Sequence, residues 1–299
     1  MTPRVAAAER EIVMSVVVTG ATGHLGRLTV EALLRRGVPP SGIVATGRDI
    51  AAIKDLADRG VVVRRTDFTD PDSLATAFAG ADKLLLISAS VPVDERVANH
   101  RRAIDAALAA GVTLVAYTST LQADTAATII GATHRATEEY LRERRVPSVL
   151  LRNGWYLENY TGQLPLILQN GAVIGAVGQG RVSAASRADY AEAAAVVLTT
   201  EGHVGAVYEL GGDEAFTLTE LAAAISAAAG KQITYTDLPA QELARVLAGA
   251  GLPTELAEVL ADADLGLSRG ELFTDSGDLG RLIGRPTTPL ADAVADALR

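Results

Sequence analysis

A doubly wound, parallel α/β sheet is the fold this sequence predicts, and three observations predict it. Short β-branched runs alternate with amphipathic segments through the first half of the chain. Residues 83–87 include four consecutive apolar side chains, the pattern of a strand covered on both faces. The first apolar run, Val16, Val17 and Val18, passes through Thr19 into three glycines spaced G-x-x-G-x-x-G, at Gly20, Gly23 and Gly26, and a helical pattern follows.

The elements are justified in order. Residues 15–19 read as the first strand and 24–36 as the helix it feeds; 42–46 and 49–59 form the second such pair. The third pair is 61–65 and 71–78, with Asp70 placed to cap the short helix that Pro71 opens. Strand 83–87 precedes helix 93–110, strand 113–118 precedes helix 131–144, and 148–151 is a further strand. After Arg152 the rhythm breaks. The string from Asn153 to Asn159 follows directly and holds the single tryptophan of a chain that is 4% aromatic. A glycine-rich stretch at 171–180 comes next, then helices at 189–200 and 217–229 with a strand at 207–210 between them, and more helical segments within 240–298. Ligands of doubly wound sheets sit outside the carboxyl ends of the strands, so material inserted there predicts a substrate lobe. The organisation expected is an N-terminal extension (1–13), a dinucleotide-binding domain (14–152) and a substrate-binding lobe (153–299) with some segments returning to the first domain.

Composition narrows the function classes. At 299 residues with 48% hydrophobic and 21% charged side chains, the chain can bury a sizeable core. It has no cysteine, which excludes disulfides, thiolate catalysis and cysteine-ligated metals, and its four histidines are scattered without metal-ligand spacing, so no metal is expected. A net charge of −9 argues against a nucleic-acid partner. Residues 1–13 carry internal charges and no long apolar core, which fits neither a secretory signal nor a membrane span, and a cytoplasmic protein is the default expectation.

The glycine motif is a nucleotide cradle. Gly20 permits the tight turn off the strand, Gly23 lets the backbone approach a pyrophosphate, and Gly26 lets the helix pack closely. With Ala21, Thr22, His24 and Leu25 these form the expected cofactor loop, the phosphates meeting free N–H groups at the helix N-terminus. A ribose 2′-hydroxyl is usually held by an acid at the end of the second strand. Here the strand ends Thr46-Gly47-Arg48, so an acid is missing and a cation is present. Arg48 offers a donor fork suited to a 2′-phosphate, which favours NADP (NADPH) over NAD; its other reading is a solvated arginine. Asp67, after the third strand, either contacts the adenine amino group or caps a turn.

These strings resemble a known family. The sequence 18–26, residues 83–88, Ala116-Tyr-Thr-Ser119, Leu151-Arg-Asn-Gly-Trp-Tyr156 with Glu158-Asn-Tyr160, Ser186-Arg-Ala-Asp-Tyr190 and the run 282–288 are similar to the NmrA-like branch of the atypical short-chain dehydrogenases/reductases, and within it to the type 2 NAD(P)H:quinone oxidoreductases. The resemblance implies a Rossmann-type sheet with a smaller C-terminal α/β lobe and NADPH-dependent hydride transfer to quinones. It implies that Ser88, Ala89 and Ser90 flank the cofactor near its pyrophosphate and nicotinamide ribose, and that Asn153, Gly154, Trp155 and Tyr156 line a quinone cleft. The family also holds triarylmethane and azo dye reductases, and redox sensors that bind the dinucleotide without turning it over. A homodimer is left open.

One departure bears on mechanism. Standard short-chain dehydrogenases use a Tyr-x-x-x-Lys pair as general acid, but here Tyr140 is followed four places on by Arg144 and Tyr117 by Leu121. A quinone asks less of the protein, because it accepts hydride readily and takes protons from water or a modest acid. His134, in the region where relatives place a lysine or histidine beside the nicotinamide, is either a proton donor near neutrality or a surface or capping residue. Trp155 and Tyr156 are expected to stack on a planar acceptor. Ser119 and Thr120 fall where the superfamily keeps a carbonyl-binding hydroxyl, Glu158 and Asn159 read as helix-starting residues, and His100 and His203 as solvent-side.

Overall fold

The computed structural model describes residues 14–89 and 92–299. The expected N-terminal extension and Ser90 lie outside the described residues.

The first half follows the alternation. β1 (Val16–Val18) leads to α1 (His24–Arg35), β2 (Ile43–Gly47) to α2 (Lys54–Asp58), β3 (Val62–Arg65) to α3 (Pro71–Phe78), β4 (Lys83–Leu86) to α4 (Val93–Ala109) and β5 (Leu114–Thr120) to α5 (Ile129–Glu143). β6 (Ser148–Asn153) then gives way to α6 (Glu158–Thr161), α7 (Leu164–Asn170) and β7 (Ala172–Gly175). After these come α8 (Arg187–Thr199), β8 (Val207–Leu210), α9 (Leu218–Ala229), β9 (Thr234–Asp237), α10 (Ala240–Gly249), α11 (Thr254–Ser268), α12 (Asp278–Ile283) and α13 (Leu290–Ala297). The main sheet has seven strands in the order β3-β2-β1-β4-β5-β6-β8, all pairs parallel, and β7 pairs with β9 in a separate two-stranded sheet. The order reverses direction between β1 and β4, which opens a crevice at the carboxyl ends there.

Two apolar layers hold the main sheet. The period-two alternation of side chains sends Val16, Val18, Ile43, Ala45 and Leu85 to one face, against Val30 and Leu33 of α1, Leu56 of α2 and Val197 and Leu198 of α8. It sends Val17, Val44, Leu84 and Leu86 to the other, against Phe78 of α3, Ile104 of α4 and Leu141 of α5. Because both faces are covered, Leu84, Leu85 and Leu86 are all fully buried, as the continuous apolar run predicts. Removing one such leucine side chain costs about 2–5 kcal/mol. A third cluster, including Leu157, Ile167, Phe216, Leu221 and Leu267, lies under β7, β9 and the later helices.

Local chemistry sets the helix starts. Asp70 accepts from the N–H groups of Asp72 and Ser73 at α3, Thr128 from Gly131 at α5, Ser186 from Asp189 at α8, and Thr217 forms a reciprocal capping box with Glu220 at α9. The expected helix at 49–59 is split, a 3-10 turn over Ile50–Ile53 preceding α2. Within the glycine-rich stretch at 171–180 the chain makes a strand, β7, rather than continuous loop. Among the described residues no helix is long and apolar enough to cross a membrane.

Candidate active-site cleft

A cleft of about 740 Å³ runs along the carboxyl ends of the strands, a volume suited to a small-molecule ligand. Its floor is the turn after β1. Gly20 adopts φ +63°, left-handed backbone that favours glycine, and a Cβ on Gly26 would stand 2.4 Å from the Gly20 carbonyl oxygen, so α1 seats directly on the turn. A Cβ on Gly23 would meet only that oxygen at 3.4 Å, so the protein itself leaves room there on the cleft side. At α1 no side chain caps the N-terminus, no acid sits in the first turn, and the N–H groups of His24, Leu25 and Gly26 have no acceptor among the described residues. Three open N–H groups at the positive end of a helix dipole form a phosphate seat. Gly20, Thr22, Gly23, His24, Leu25 and Gly26 border the cleft. Ala21 does not, which corrects its expected role: it is fully buried and its N–H is committed to the Thr46 carbonyl at 2.8 Å.

The end of β2 supplies Gly47 and Arg48. A Cβ on Gly47 would lie 2.5 Å from the Thr22 side chain, so this glycine, which sequence reasoning passed over, lets the two loops meet. Arg48 is exposed at the cleft edge and has no ion-pair partner among the described residues. Asp67 borders the same end, but its carboxylate accepts from Thr69 N–H at 3.0 Å and from Thr69 Oγ1 at 2.7 Å, bonds that hold its pKa below the ordinary carboxylate range. It is therefore a turn cap at the cleft wall. The Thr66 hydroxyl, buried beside it, has no hydrogen-bond partner in the described protein.

The opposite end is built by β4, α4, α5 and the loop after β6. Ser88 and Ala89 border the cleft, their N–H groups donating to Thr118 Oγ1 at 2.9 Å and to His100 Nε2 at 3.0 Å. Arg96 of α4 reaches this end, hydrogen-bonded to the Ala89 carbonyl and Thr133 Oγ1, with no carboxylate partner among the described residues; burial lowers its pKa. His134 of α5 borders the cleft and is 6% exposed. Burial pushes its pKa well below the ordinary histidine value, with Arg96 and His100 adding to the effect, so it is the neutral imidazole at neutral pH. The expectation of an imidazolium donating near neutrality is corrected on that ground. His100, expected at the solvent, is fully buried and held down to about 3 for the same reason, and His203 is half-buried.

The four residues after β6 separate. Tyr156 alone borders the large cleft, its ring packed edge-on against Tyr190 with the Arg187 guanidinium 4.7 Å from its centroid. Burial raises its pKa, so the phenol stays protonated. Trp155 instead borders a smaller cavity of about 20 Å³ with Leu121, Ile130, Glu271 and Leu272; Ile130 lies on the wall of both spaces. The expected paired aromatic stacking surface is therefore not formed. Asn153 is buried behind the cleft, and Gly154 is a packing glycine whose Cβ would fall 2.9 Å from the Ser183 carbonyl oxygen and 3.0 Å from the Tyr190 hydroxyl. Neither borders the cleft, which corrects their expected place.

Ser119 and Thr120 end β5 rather than following it. Ser119 Oγ donates to Glu138 Oε1 at 2.6 Å and so is not a free carbonyl-binding hydroxyl, while Thr120 borders the smaller cavity. Glu138 belongs to a buried cluster that the sequence reading missed. Arg152 meets it through two hydrogen bonds of 3.0 and 2.7 Å, and also reaches Asp124 at 2.9 Å and Glu209 at 2.7 Å. Glu209 in turn accepts from the N–H of Gln122, a residue with φ +51° whose side chain donates to the Gly270 and Phe273 carbonyls. Glu158 opens α6, as expected of it, and its carboxylate also accepts from the Arg187 N–H at the start of α8, a contact the sequence reading did not foresee.

A seven-stranded parallel sheet with an open helix N-terminus, a cation at the second strand and a neutral imidazole at the far end defines a dinucleotide-binding α/β protein. The chain belongs to the NmrA-like family, whose model matches residues 14–269. It is 48% identical over 280 residues to Quinone oxidoreductase 2 of Escherichia coli, covering 94% of this chain and 97% of that one. The crystal structure of the Escherichia coli NADPH-dependent quinone oxidoreductase complexed with NADPH matches with a TM-score of 0.91 over 95% of this chain and 100% of that one, at 48% identity. That of the Citrobacter sp. triphenylmethane reductase complexed with NADP(H) matches with a TM-score of 0.89 at 37% identity, over 95% and 100% of the two chains.

Proposed function

We propose that this chain is an NADPH-dependent reductase that delivers hydride to quinones or similarly planar, electron-poor acceptors. The observation that carries the reading is the continuity of the cleft, from the uncapped start of α1 and Arg48, which makes no ion pair among the described residues, to His134 and Tyr156. The similarity to a quinone oxidoreductase over nearly the full length of both chains supports it.

The residues present fit the dinucleotide: the open N–H groups of α1 would take the pyrophosphate, Arg48 the 2′-phosphate, the Thr66 hydroxyl a polar edge of the adenosine half, and the Ser88–Ala89 turn the nicotinamide half. When bound, NADPH supplies the hydride. The chain's own part is positioning and polarisation. Tyr156, braced by Tyr190 and Arg187, offers one aromatic face to a planar acceptor. His134, neutral, faces the acceptor as a hydrogen-bonding group, and Arg96 supplies positive charge where reduction places negative charge on oxygen. Reduction of a quinone to a hydroquinone consumes one hydride and one proton, and water at the open cleft supplies the proton.

Steady-state NADPH oxidation against benzoquinones, naphthoquinones and triarylmethane dyes tests the reading. Turnover with quinones at NADPH concentrations far below those needed for NADH is expected. Tight NADPH binding without turnover of any acceptor would replace the reductase by a dinucleotide sensor.

A further inference from the structure

Behind the cleft, three side chains that no substrate can touch are wired to one that borders it. Tyr117 of β5 is fully buried, its hydroxyl 2.7 Å from His134 Nδ1 and 3.4 Å from His100 Nδ1. His100 Nδ1 is also 2.9 Å from Thr137 Oγ1. We propose that Tyr117 is a positioning residue that fixes the tautomer of His134, so that the cleft is offered an N–H donor at Nε2 for the carbonyl oxygen of the acceptor. The acceptor part of this inference rests on the reductase reading; the tautomer part does not.

The proton positions follow from the fixed donors. The Ala89 N–H can only donate, and it points at His100 Nε2, so neutral His100 carries its proton on Nδ1. That proton goes to Thr137 Oγ1, whose own hydrogen goes to the Thr133 carbonyl at 3.0 Å. His100 Nδ1 is then no acceptor, and the Tyr117 hydrogen is directed to His134 Nδ1. The opposite arrangement, His134 donating to Tyr117, leaves the Tyr117 hydrogen only the nearby hydroxyls of Thr137 and Ser88, neither of which makes a hydrogen bond of sound geometry with it, against the 2.7 Å contact to His134 Nδ1. With Nδ1 accepting, neutral His134 holds its proton on Nε2, which has no partner among the described residues and is not a buried orphan atom, on a residue bordering the cleft. Both imidazoles are neutral because burial disfavours the charged ring, the Arg96 guanidinium adds to the effect, and among the described residues no carboxylate forms an ion pair with either ring. A neutral imidazole held this way polarises a carbonyl without transferring its proton, which explains how a histidine too buried to ionise still serves the reaction.

With four histidines in the chain, long-range ¹H–¹⁵N spectra of the ¹⁵N-histidine-labelled protein without ligand resolve each tautomer, and a His134→Gln variant assigns the signal. The expected wild-type pattern is a pyridine-type Nδ1 and a pyrrole-type Nε2 for His134. Tyr117→Phe should shift this pattern toward the other tautomer. It should also lower kcat with 1,4-benzoquinone by about tenfold or more while leaving the NADPH Kd unchanged. His134→Gln, which keeps an N–H donor, should retain more turnover than His134→Leu. A wild-type His134 protonated on Nδ1 overturns the proposal, even if the Tyr117 variant does not fold. A folded Tyr117→Phe protein with unaltered tautomer and kcat also overturns it. Absence of quinone turnover in the wild type, with the expected tautomer present, would refute the reductase reading and leave the histidine wiring standing.

Discussion

Arg48 and Tyr156 show how much a single side chain decides at each end of the cleft. Among the described residues Arg48 makes no ion pair, Asp67 acting on it only at longer range, which leaves its guanidinium open to a 2′-phosphate, and a charge-assisted pair of that kind is worth about 1.5–3 kcal/mol. Arg48→Glu should therefore weaken NADPH binding by roughly 10–100-fold while changing NADH binding little, as read by calorimetry with both nucleotides. Equal losses would mean that the 2′-phosphate lies elsewhere. At the other end the two neighbouring aromatics should part company. Tyr156→Ala should lower kcat/KM for quinones by about tenfold or more, roughly 1.4 kcal/mol of transition-state binding, with NADPH affinity intact. Trp155→Ala should mainly lower the melting temperature, because Trp155 packs against the apolar cluster of Leu157, Phe216 and Leu272. Comparable effects of both variants on quinone kinetics would restore the paired surface that the sequence suggested.

Elements differ in how plainly they are written in the chain. α3 has the bounds its proline and aspartate predict, because a cap and an N1 proline act locally. β7 is hidden among glycines and β9 is mostly exposed polar residues, so neither shows an apolar run; they exist because they pair with each other over α9. The cleft divides in the same way. The glycine turn and Arg48 are contiguous with a strand and could be read, whereas Arg96, Thr66, Ile130 and Arg187 come from separate segments that only the strand order brings together. Asn153 and Gly154 were legible as special; Gly154 is special for its close packing on Tyr190, and Asn153 is buried with its Oδ1 lacking a hydrogen-bond partner among the described residues. The glycines of the first turn can be separated experimentally. Gly23→Val should abolish NADPH binding in a protein that remains folded, since its Cβ meets only one oxygen at van der Waals distance. Gly26→Val should unseat α1 and cost about 1–3 kcal/mol or more in a urea unfolding experiment. Near-native NADPH affinity in folded Gly23→Val would remove the turn from the binding site.

For the whole molecule, stability against acid is tied to Asp189. Burial opposes its ionisation, but the Thr288 N–H, Ser186 Oγ and Arg285, whose Nη2 lies 2.7 Å away, outweigh that and lower its pKa. A carboxylate with a depressed folded-state pKa contributes stability that is complete above its unfolded value, about 3.9, and is lost as pH falls below it. The Asp189→Asn protein should accordingly be less stable than wild type at pH 7, with the gap narrowing toward pH 3, as measured by urea midpoints. A constant gap would locate the effect in packing rather than ionisation. Asp189 joins α8 on the main sheet to residues 285–288 near the C-terminus, so this pH response belongs to the junction of distant parts of the chain.

The approach to α5 is held from outside the main sheet. Glu271 accepts from the N–H groups of Ala127 and Thr128, and Asp262 from that of Ile129, so two carboxylates from the segment around α11 close the first turn of the helix that carries His134. Those three amides lie outside the lining of the large cleft, and their hydrogen bonds to Glu271 and Asp262 should slow their exchange until the α11 segment opens. Ligand that rigidifies the His134 end of α5 raises the free energy of that opening by linkage. Saturating NADPH with a quinone analogue should therefore slow deuterium uptake at residues 127–129 and in 262–271, a protection footprint well away from the bound molecules. Footprints confined to the glycine turn and the Ser88–Ala89 turn would show that α5 and α11 breathe independently.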